Sequence, residues 1–281
     1  MILGAHVSIA NGVENAVWQA ESIGCETFQL FTKNQTQWKE KQFTSDEVLA
    51  FKTALNDSRQ RSDCVAAHGS YLINLCSNEE AKLNKSRQAF LSEIKRCADL
   101  QIPFLIFHPG SHLGKGEEWA INVIAESLMQ AIENSAEMEV KLLLETTAGQ
   151  GSNLGYRPEQ LSKIINMVNK PERLGVCLDT CHLYAAGYDL RPERYHQTMR
   201  HILDQVEHTM IYAFHLNDSK RDLGSKVDRH EIIGAGFLGE DTFKLLINDD
   251  RFSDIPGILE IPGGLESFEV SLKKLKGFRI P

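Results

Sequence analysis

Residues 141–147 read KLLLETT, and residues 175–182 read GVCLDTCH. Both are short apolar runs that end in acidic or hydroxyl-bearing side chains, which is typical of a buried strand that runs into a loop. Residues 157–168, which lie between them, carry the spacing of an amphipathic helix. A strand, a helix and a second strand in this order form the repeating unit of a parallel sheet whose two faces are covered.

The same unit recurs from one end of the chain to the other. Further strand-like runs are ILGAHVS (2–8), TFQLFT (27–32), CVAAHGS (64–70), FLIFHPG (104–110), IYAFHLND (211–218) and GILEIPGG (257–264). Helical spacing is found over 11–23, 45–60, 78–100, 117–138, 157–168, 192–207, 239–248 and 266–275. Because eight parallel strands close a barrel, the pattern predicts an α/β fold with a single (β/α)8 TIM-barrel domain over residues 1–281. A doubly wound open sheet is the structural alternative.

The composition is that of an ordinary globular protein. Of the 281 residues, 42% are hydrophobic and 24% are charged, and the net charge is −8. This acidity argues against a broad basic face for nucleic acid. The N-terminus enters a strand-like run at once, so we expect no signal peptide. No apolar run reaches the roughly 18 residues that span a bilayer, so we expect no membrane contact. Six scattered cysteines without a CxxC pair are typical of free thiols in a reducing cytoplasm, where we expect the protein to work.

Imidazole and carboxylate side chains gather at the ends of the predicted strands. In a TIM barrel these ends meet at one rim, where the chemistry of such proteins takes place. The third to the eighth strands each end near His, Asp or Glu, and the loop after the seventh adds two more. The nine residues are His68, His108, Glu145, Asp179, His182, His215, Asp228, His230 and Glu260. Carboxylates crowded in this way repel one another unless cations lie between them, so the pattern predicts a metal site.

The types of ligand indicate which metal is bound. Five histidines and four carboxylates, without a thiolate, favour Zn²⁺, with Mn²⁺ or Fe²⁺ as alternatives in part of the site. Mg²⁺ and Ca²⁺ prefer ligand sets made of oxygen alone. At about three protein ligands for each catalytic ion, nine ligands with a bridging carboxylate suffice for three ions. Open coordination positions would remain for water and substrate.

Several long motifs resemble endonuclease IV, a family of abasic-site endonucleases. The motifs are FTKNQTQW (31–38), HGSYLIN (68–74), HPGSH (108–112), LLLETTAGQGSNLG (142–155), GVCLDTCH (175–182) and FHLNDSKRDLGSKVDRH (214–230). They span essentially the whole chain in order. The resemblance implies a TIM barrel with three zinc ions. The implied ligand sets are His68, His108 and Glu145; Glu145, as a bridge, with Asp179, His215 and Glu260; and His182, Asp228 and His230.

The resemblance also implies the reaction. We expect metal-dependent hydrolysis of the phosphodiester 5′ of an abasic site in double-stranded DNA, which leaves a 3′-hydroxyl and a 5′-deoxyribose phosphate. Glu145 and Glu260 are the expected catalytic residues, because they would position the attacking hydroxide as well as bind metal. Three divalent cations would offset most of the negative charge of the chain at the point where the phosphate docks.

Recognition of a missing base needs side chains that fill the gap in the helix. Tyr71 and Leu72, which follow His68, are expected to do so, and packing within the loop is the alternative. Asn34 and Gln37 are expected to contact the groove. The basic candidates for contacts with phosphate are Lys33, Lys220, Arg221, Lys226 and Arg229.

Three further positions bear on the site. Thr36 stands where the family often has an arginine that contacts DNA, and Ile261 stands where a threonine often follows the glutamate. His6, in the first strand, is expected to point toward the same rim, either in support of the site or as a buried structural residue.

Two other functions are compatible with parts of the pattern. A metal-dependent sugar isomerase or epimerase would share the barrel, but it would not need the trio His182, Asp228 and His230. A non-catalytic binder of damaged DNA would tend to lose metal ligands, and all nine are present. We expect a monomer, because DNA must reach an open rim.

Overall fold

Eight parallel strands form a closed barrel in the computed structural model, which describes residues 1–38 and 41–280. Each strand pairs with the next along the chain, and the last pairs with the first. The barrel strands are β1 (Ile2–Val7), β2 (Thr27–Phe31), β3 (Ala66–His68), β4 (Phe104–Phe107), β5 (Lys141–Glu145), β6 (Leu174–Asp179), β7 (Ile211–His215) and β10 (Pro256–Leu259). The predicted TIM barrel is confirmed, and the open sheet is wrong.

Helices follow the strands and cover the outside of the barrel. They are α1 (Asn15–Ser22), α2 (Ser45–Asp57), α3 (Glu80–Leu100), α4 (Glu117–Glu133), α5 (Pro158–Val168), α6 (Thr180–Ala186), α7 (Tyr195–Gln205), α8 (Glu240–Ile247) and α9 (Gly264–Gly277). Among the described residues, none of the helices combines the length and the apolar character that crossing a membrane requires.

The run 175–182 is not a continuous strand. Strand β6 ends at Asp179, whose carboxylate accepts a 2.7 Å hydrogen bond from the backbone N–H of His182. A side-chain acceptor at this position satisfies a free N–H group of the first turn and so starts a helix. His182 therefore lies on the first turn of α6, directly above the end of β6.

The alternation of side chains along the strands determines which residues stand at the rim above the interior of the barrel. Ala66, Ile106, Leu143, Cys177 and Ala213 pack together as a small buried cluster. Side chains two residues apart in a strand lie on the same face. The next residues on that face are therefore His68, His108, Glu145, Asp179 and His215. The apolar layer thus forms the floor of a polar site.

Close approach of the barrel strands leaves no room for a side chain at Gly4. A Cβ built there would lie 2.3 Å from the carbonyl oxygen of Thr27 and 3.0 Å from Cδ1 of Ile258. Gly4→Ala is expected to lower the free energy of unfolding by roughly 1–3 kcal/mol, as other overpacked substitutions do. Urea unfolding followed by circular dichroism measures this change. Gly277→Ala is the control, because an added Cβ at Gly277 meets nothing within 4 Å. Equal unfolding midpoints for the two variants would contradict the packing described here.

Candidate metal centre

The nine predicted ligand residues all lie at the C-terminal rim of the barrel. Six occupy the last position of a barrel strand or the position just after it: His68, His108, Glu145, Asp179, His215 and Glu260. His182 lies on α6. Asp228 and His230 belong to the connection after β7, where β8 (Asp218–Ser219) and β9 (His230–Glu231) form an antiparallel pair. Ligand atoms from these residues, together with Cys181, fall into four overlapping clusters. Two of the clusters share His230 and are described together as the third group below.

The first group consists of His68, His108 and Glu145. The Nε2 atoms of the two histidines each lie 3.0 Å from the same carboxylate oxygen, Oε2 of Glu145. His68 and Glu145 are buried, and His108 is half-buried. The three ligand atoms lie within 4.8 Å of one another, which is close enough for one ion to touch all of them.

The second group joins Glu145, Asp179, His215 and Glu260. Nδ1 of His215 lies 2.9 Å from Oε1 of Glu145, 3.2 Å from Oε2 of Glu260 and 3.8 Å from Oδ2 of Asp179. Glu145 thus directs one oxygen to the first group and the other to the second. This is the arrangement expected of a bridging carboxylate.

The third group contains the predicted set His182, Asp228 and His230, which the structure divides between two overlapping clusters: Asp179, His182 and His230, and Cys181, Asp228 and His230. Nε2 of His182 lies 3.2 Å from Oδ2 of Asp228, and Nε2 of His230 lies 3.3 Å from Oδ1 of the same residue. Asp179 also reaches this group, with Oδ2 at 3.8 Å from Nε2 of His230. Asp179 therefore connects the second and third groups, a connection that the sequence analysis did not predict.

Cys181 lies beside the third group, near Asp228 and His230. Burial raises the pKa of its thiol to about 12 in the metal-free chain. The thiol donates a hydrogen bond to the backbone oxygen of Arg229 at 3.5 Å. Cys181 thus supports the loop in the metal-free chain, and its sulfur lies near enough to Asp228 and His230 to reach a shared cation.

Hydrogen bonds to oxygen acceptors orient four of the five histidines. Nδ1 of His68 donates to the backbone oxygen of Gly69 at 2.8 Å. Nδ1 of His182 and of His230 donate to the backbone oxygens of Thr146, at 2.8 Å, and of Glu260, at 3.0 Å. Nε2 of His215 donates to a side-chain oxygen at 2.9 Å. Each bond holds a proton on the outer nitrogen and turns the inner nitrogen toward the carboxylates, where a metal ion can replace a second proton, as in metal-binding histidines.

Two of these inner nitrogens provide the test of whether the residues suit a metal. Nε2 of His182 and Nε2 of His230 are buried, and neither has a hydrogen-bond partner among the described residues. A buried polar atom without a partner costs free energy. Both atoms lie close to the carboxylate of Asp228, an acceptor only. A cation between them satisfies all three side chains at once, so the donor set suits a metal ion.

The histidines and carboxylates at the rim shift one another's pKa values. Burial alone would raise the pKa of Glu145, but the charges of His108 and His215 outweigh it and hold the pKa well below its usual range. Burial would lower the pKa of His230, but the adjacent Asp228 and the charge of Asp179 raise it to about 9. In the metal-free chain, protonated imidazoles are therefore the counterions of the buried acids.

Buried polar side chains that the sequence analysis did not single out hold the ligands in place. Asn217 donates to Oδ2 of Asp179 at 2.7 Å and accepts from the backbone N–H of Glu260 at 2.9 Å. Asp218 accepts backbone N–H groups from Ser219, Gly234, Gly236, Leu238 and Gly239, and so folds the connection that carries Asp228 and His230. The sequence contains an indication of both roles, because the two polar residues directly follow the apolar run IYAFHL, at the end of a predicted strand.

The predicted gap-filling residues lie at the mouth of the site. Tyr71 is 60% exposed, and its ring centroid lies 5.6 Å from that of His68 and 5.9 Å from that of His108. Leu72 is half-buried beside it. Arg229 is exposed, and its Nη1 donates to the backbone oxygen of Asp228 at 2.6 Å.

The loop after β2 carries the predicted groove contacts. Asn34 and Gln37 are exposed, and Oδ1 of Asn34 accepts hydrogen bonds from the backbone N–H and the hydroxyl of Thr36 at 2.9 and 2.7 Å. Thr36 thus braces a turn in the loop. Lys33 is buried, and its Nζ donates to the backbone oxygen of Gln37 at 2.8 Å. The expectation of a phosphate contact by Lys33 does not suit this position.

His6 and Ile261 adjoin the second group. Nδ1 of His6 lies 3.1 Å from Oε1 of Glu260. Burial lowers the pKa of His6, which favours the neutral ring in spite of Glu260. Ile261 is buried and offers no hydroxyl, and the backbone of Glu260 is held by Asn217 instead. Of the two roles predicted for His6, support of the site is the one that its position favours.

Zinc binding to the metal-free protein is expected to release protons at pH 7. The raised pKa values keep His182 and His230 protonated there, and the protons must leave before the nitrogens can bind a cation. Zinc affinity should therefore rise with pH through the range near 9 in which the metal-free His230 loses its own proton. Titration calorimetry at pH 7 in two buffers of different ionisation enthalpy measures the release. Equal heats in the two buffers would contradict this prediction.

Comparisons with known proteins identify the family of the chain. The family model described as "Xylose isomerase-like TIM barrel" matches residues 17–277. A protein of Chloroflexus aurantiacus named "Probable endonuclease 4" is 44% identical over 267 residues, which cover 95% of this chain and 93% of the relative. The crystal structure of endonuclease IV from Thermus thermophilus superimposes with a TM-score of 0.88 at 32% identity and covers 99% of this chain and 98% of that one.

A likeness to sugar-converting enzymes extends to the fold alone. A D-psicose 3-epimerase structure matches with a TM-score of 0.72 at 12% identity and covers 99% of this chain and 98% of that one. By contrast, the relatives named endonuclease 4 share over two fifths of their residues with this chain along nearly its whole length. The chain therefore belongs to the endonuclease IV family of DNA endonucleases, which is built on the xylose isomerase-like TIM barrel.

Proposed function

We propose that this protein is a DNA-repair endonuclease that hydrolyses the phosphodiester 5′ of abasic sites in double-stranded DNA with three zinc ions. The products would be a 3′-hydroxyl and a 5′-deoxyribose phosphate. The observation that carries the proposal is the set of three adjoining ligand groups, joined through Glu145 and Asp179, at the open rim of the barrel. Mn²⁺ or Fe²⁺ could replace Zn²⁺ in part of such a site, because the ligands are nitrogen and oxygen.

The ligand sets follow the three groups. His68, His108 and Glu145 would hold one ion; Glu145, Asp179, His215 and Glu260 a second; and His182, Asp228 and His230 a third. When bound, the ions would supply Lewis acidity to the phosphate and a means of ionising water near neutral pH.

The two predicted catalytic carboxylates have different surroundings. Glu145 is fully buried, and histidines adjoin both of its oxygens, so its task is to bridge. The side chain of Glu260 is 12% exposed, and its Oε2 lies 3.2 Å from Nδ1 of His215. Glu260 is thus the better placed of the two to accept a hydrogen bond from the attacking water and so aim it at the phosphate.

A polar cavity of about 450 Å³ adjoins the ligand groups. Its walls include Tyr71, Ser111, Gln150, Asn153 and Arg229, together with the ligands His108, His182 and Asp228. An abasic nucleotide unstacks at little cost and can rotate out of the helix into such a cavity. Hydroxyl and amide side chains suit the deoxyribose, and Arg229 suits the neighbouring phosphate.

The loop that carries Asn34 and Gln37 is tied to the barrel at both ends. The guanidinium of Arg96, buried on α3, donates to the backbone oxygens of Thr32 and Lys41. It also lies 3.9 Å from the ring centroid of Phe43. A loop fixed in this way can present Asn34 and Gln37 to a DNA groove at a defined height above the metal groups.

The acidic net charge is compatible with a DNA substrate. Cations at the rim would create a local site for phosphate, so the remaining surface can stay acidic. A second candidate function, metal-dependent isomerisation or epimerisation of sugars, draws only on the shared fold. The third ligand group favours the endonuclease, since one or two ions would suffice for the sugar chemistry.

The cellular setting is also a proposal. All six cysteines are free and buried, which suits a reducing cytoplasm. An open rim that must admit a DNA duplex favours a monomer.

Metal removal tests the proposed function. A duplex with one abasic site should be nicked by the zinc-loaded protein at its 5′ side, and the resulting 3′-hydroxyl should prime a DNA polymerase directly. Exhaustive chelation should abolish nicking, because the ions would supply the Lewis acidity and the ionised water that hydrolysis needs, and Zn²⁺ should restore it. The same duplex with an intact base is the control substrate. Nicking that survives chelation, or a 3′ end that a polymerase cannot extend, would refute the mechanism.

Replacement of Tyr71 and Leu72 by alanine tests the role proposed for them in recognition. Loss of the two side chains should weaken binding to abasic duplex by about tenfold or more, since a stacking contact contributes about 1–3 kcal/mol. Unfolding of the protein should change little, because Tyr71 is largely exposed. Fluorescence anisotropy with labelled abasic duplex measures the binding. Leu49→Ala with Val270→Ala, two exposed positions on the outer helices, is the matched control. Wild-type affinity in the Tyr71 and Leu72 variant would show that the pair only packs the loop.

A further inference from the structure

Gln29 occupies an unusual position in the barrel. It lies in the middle of β2, a strand that provides none of the nine ligands, and it is fully buried. In the sheet it pairs with His6 of β1 on one side and with Ala66 of β3 on the other. Its side chain therefore enters the interior of the barrel on the same face as the rim residues, one layer below them.

The amide of Gln29 joins two members of the second ligand group. Nε2 donates a hydrogen bond to Oε1 of Glu260 at 2.7 Å and lies 2.8 Å from Nδ1 of His6. Oε1 accepts a hydrogen bond from Nε2 of His215 at 2.9 Å. Glu260 follows β10 and His215 ends β7, so one side chain on β2 reaches two other strands.

The chemistry of the Gln29 amide, the Glu260 carboxylate and the His215 imidazole fixes the direction of each hydrogen bond. An ionised carboxylate only accepts, so the NH₂ end of the amide must face Glu260. The amide oxygen must then face His215, whose Nε2 has to carry the proton. The lone pair of Nδ1 is consequently the one that faces Glu145 and Glu260, at 2.9 and 3.2 Å. The amide of Gln29 thus orients both the carboxylate of Glu260, which follows β10, and the imidazole of His215, which ends β7.

We infer that Gln29 is a positioning residue of the metal centre, which fixes the tautomer of His215 and the orientation of Glu260. The inference rests on the proposed metal-dependent function and adds a residue outside the nine ligands. A hydrocarbon side chain at position 29 would leave the outer N–H of His215 and one oxygen of Glu260 without these partners. Groups that support ligands in this way typically contribute 10- to 100-fold to metal affinity.

Gln29→Met tests the inference, because methionine has a similar length, cannot donate to Glu260 and offers His215 only a weak sulfur acceptor. Gln29→Ala is the second variant and decides the matter if Gln29→Met does not fold. Gln60→Met is the matched control: Gln60 is buried and donates to the backbone oxygen of Cys25 at 3.0 Å, at the opposite end of β2 from the rim. Zinc affinity is measured by competition with a chromophoric chelator, and zinc content by elemental analysis. The visible spectrum of the Co²⁺-loaded protein reports on the ligand geometry.

The expected result is a loss of about 10- to 100-fold in affinity for one zinc ion in the Gln29 variants, with an altered Co²⁺ spectrum. Unfolding of the metal-free variants should show that they are folded, and Gln60→Met should bind zinc as the wild type does. Wild-type affinity and spectrum in the Gln29 variants would overturn the inference while leaving the proposed function intact. An equal loss in Gln60→Met would also overturn it, since the effect would then be one of general packing. If the wild-type protein binds no zinc, the proposed function fails first.

Discussion

Buried negative charge at the mouth of the barrel is the constraint on which the rest of the structure depends. Glu145 and Asp179 are fully buried, and Glu260 lies beside them, with their oxygens around a common histidine. Unpaired carboxylates in such surroundings are costly, and their pKa values would normally rise. The arrangement is stable only if positive charge is supplied at the same place, by protonated imidazoles or by bound cations.

The arrangement of the histidines favours bound metal ions over protonated imidazoles as the source of this positive charge. His68, His182, His215 and His230 each give one N–H to an oxygen that is not itself one of the candidate ligand atoms. The inner nitrogens can then face the carboxylates either with an additional proton or with a lone pair and a metal ion. Because the inner nitrogens of His182 and His230 make no hydrogen bond within the described part of the chain, the second state leaves fewer buried polar groups unsatisfied.

Much of this could be predicted from the sequence, because the side-chain period of a strand is two and the strands of a closed barrel end at one rim. The KLLLETT run was sufficient to place Glu145, and IYAFHLND to place His215. Contacts between distant segments could not be predicted in the same way. Asp179 lies near both the second and the third group, Lys33 is buried, and Gln29 contacts His215 across the barrel. These features depend on side-chain rotamers and loop conformations that no local sequence pattern specifies. A polar residue inside the apolar run TFQLFT was nevertheless a visible signal for Gln29.

The most direct test is a crystal structure of the zinc-loaded protein with anomalous diffraction data collected at the zinc absorption edge. The account predicts three anomalous peaks at the rim, one within bonding distance of each ligand group, with Glu145 shared between two of them. A single peak, or peaks that do not contact these groups, would contradict the claim that the converging histidines and carboxylates form a three-metal centre.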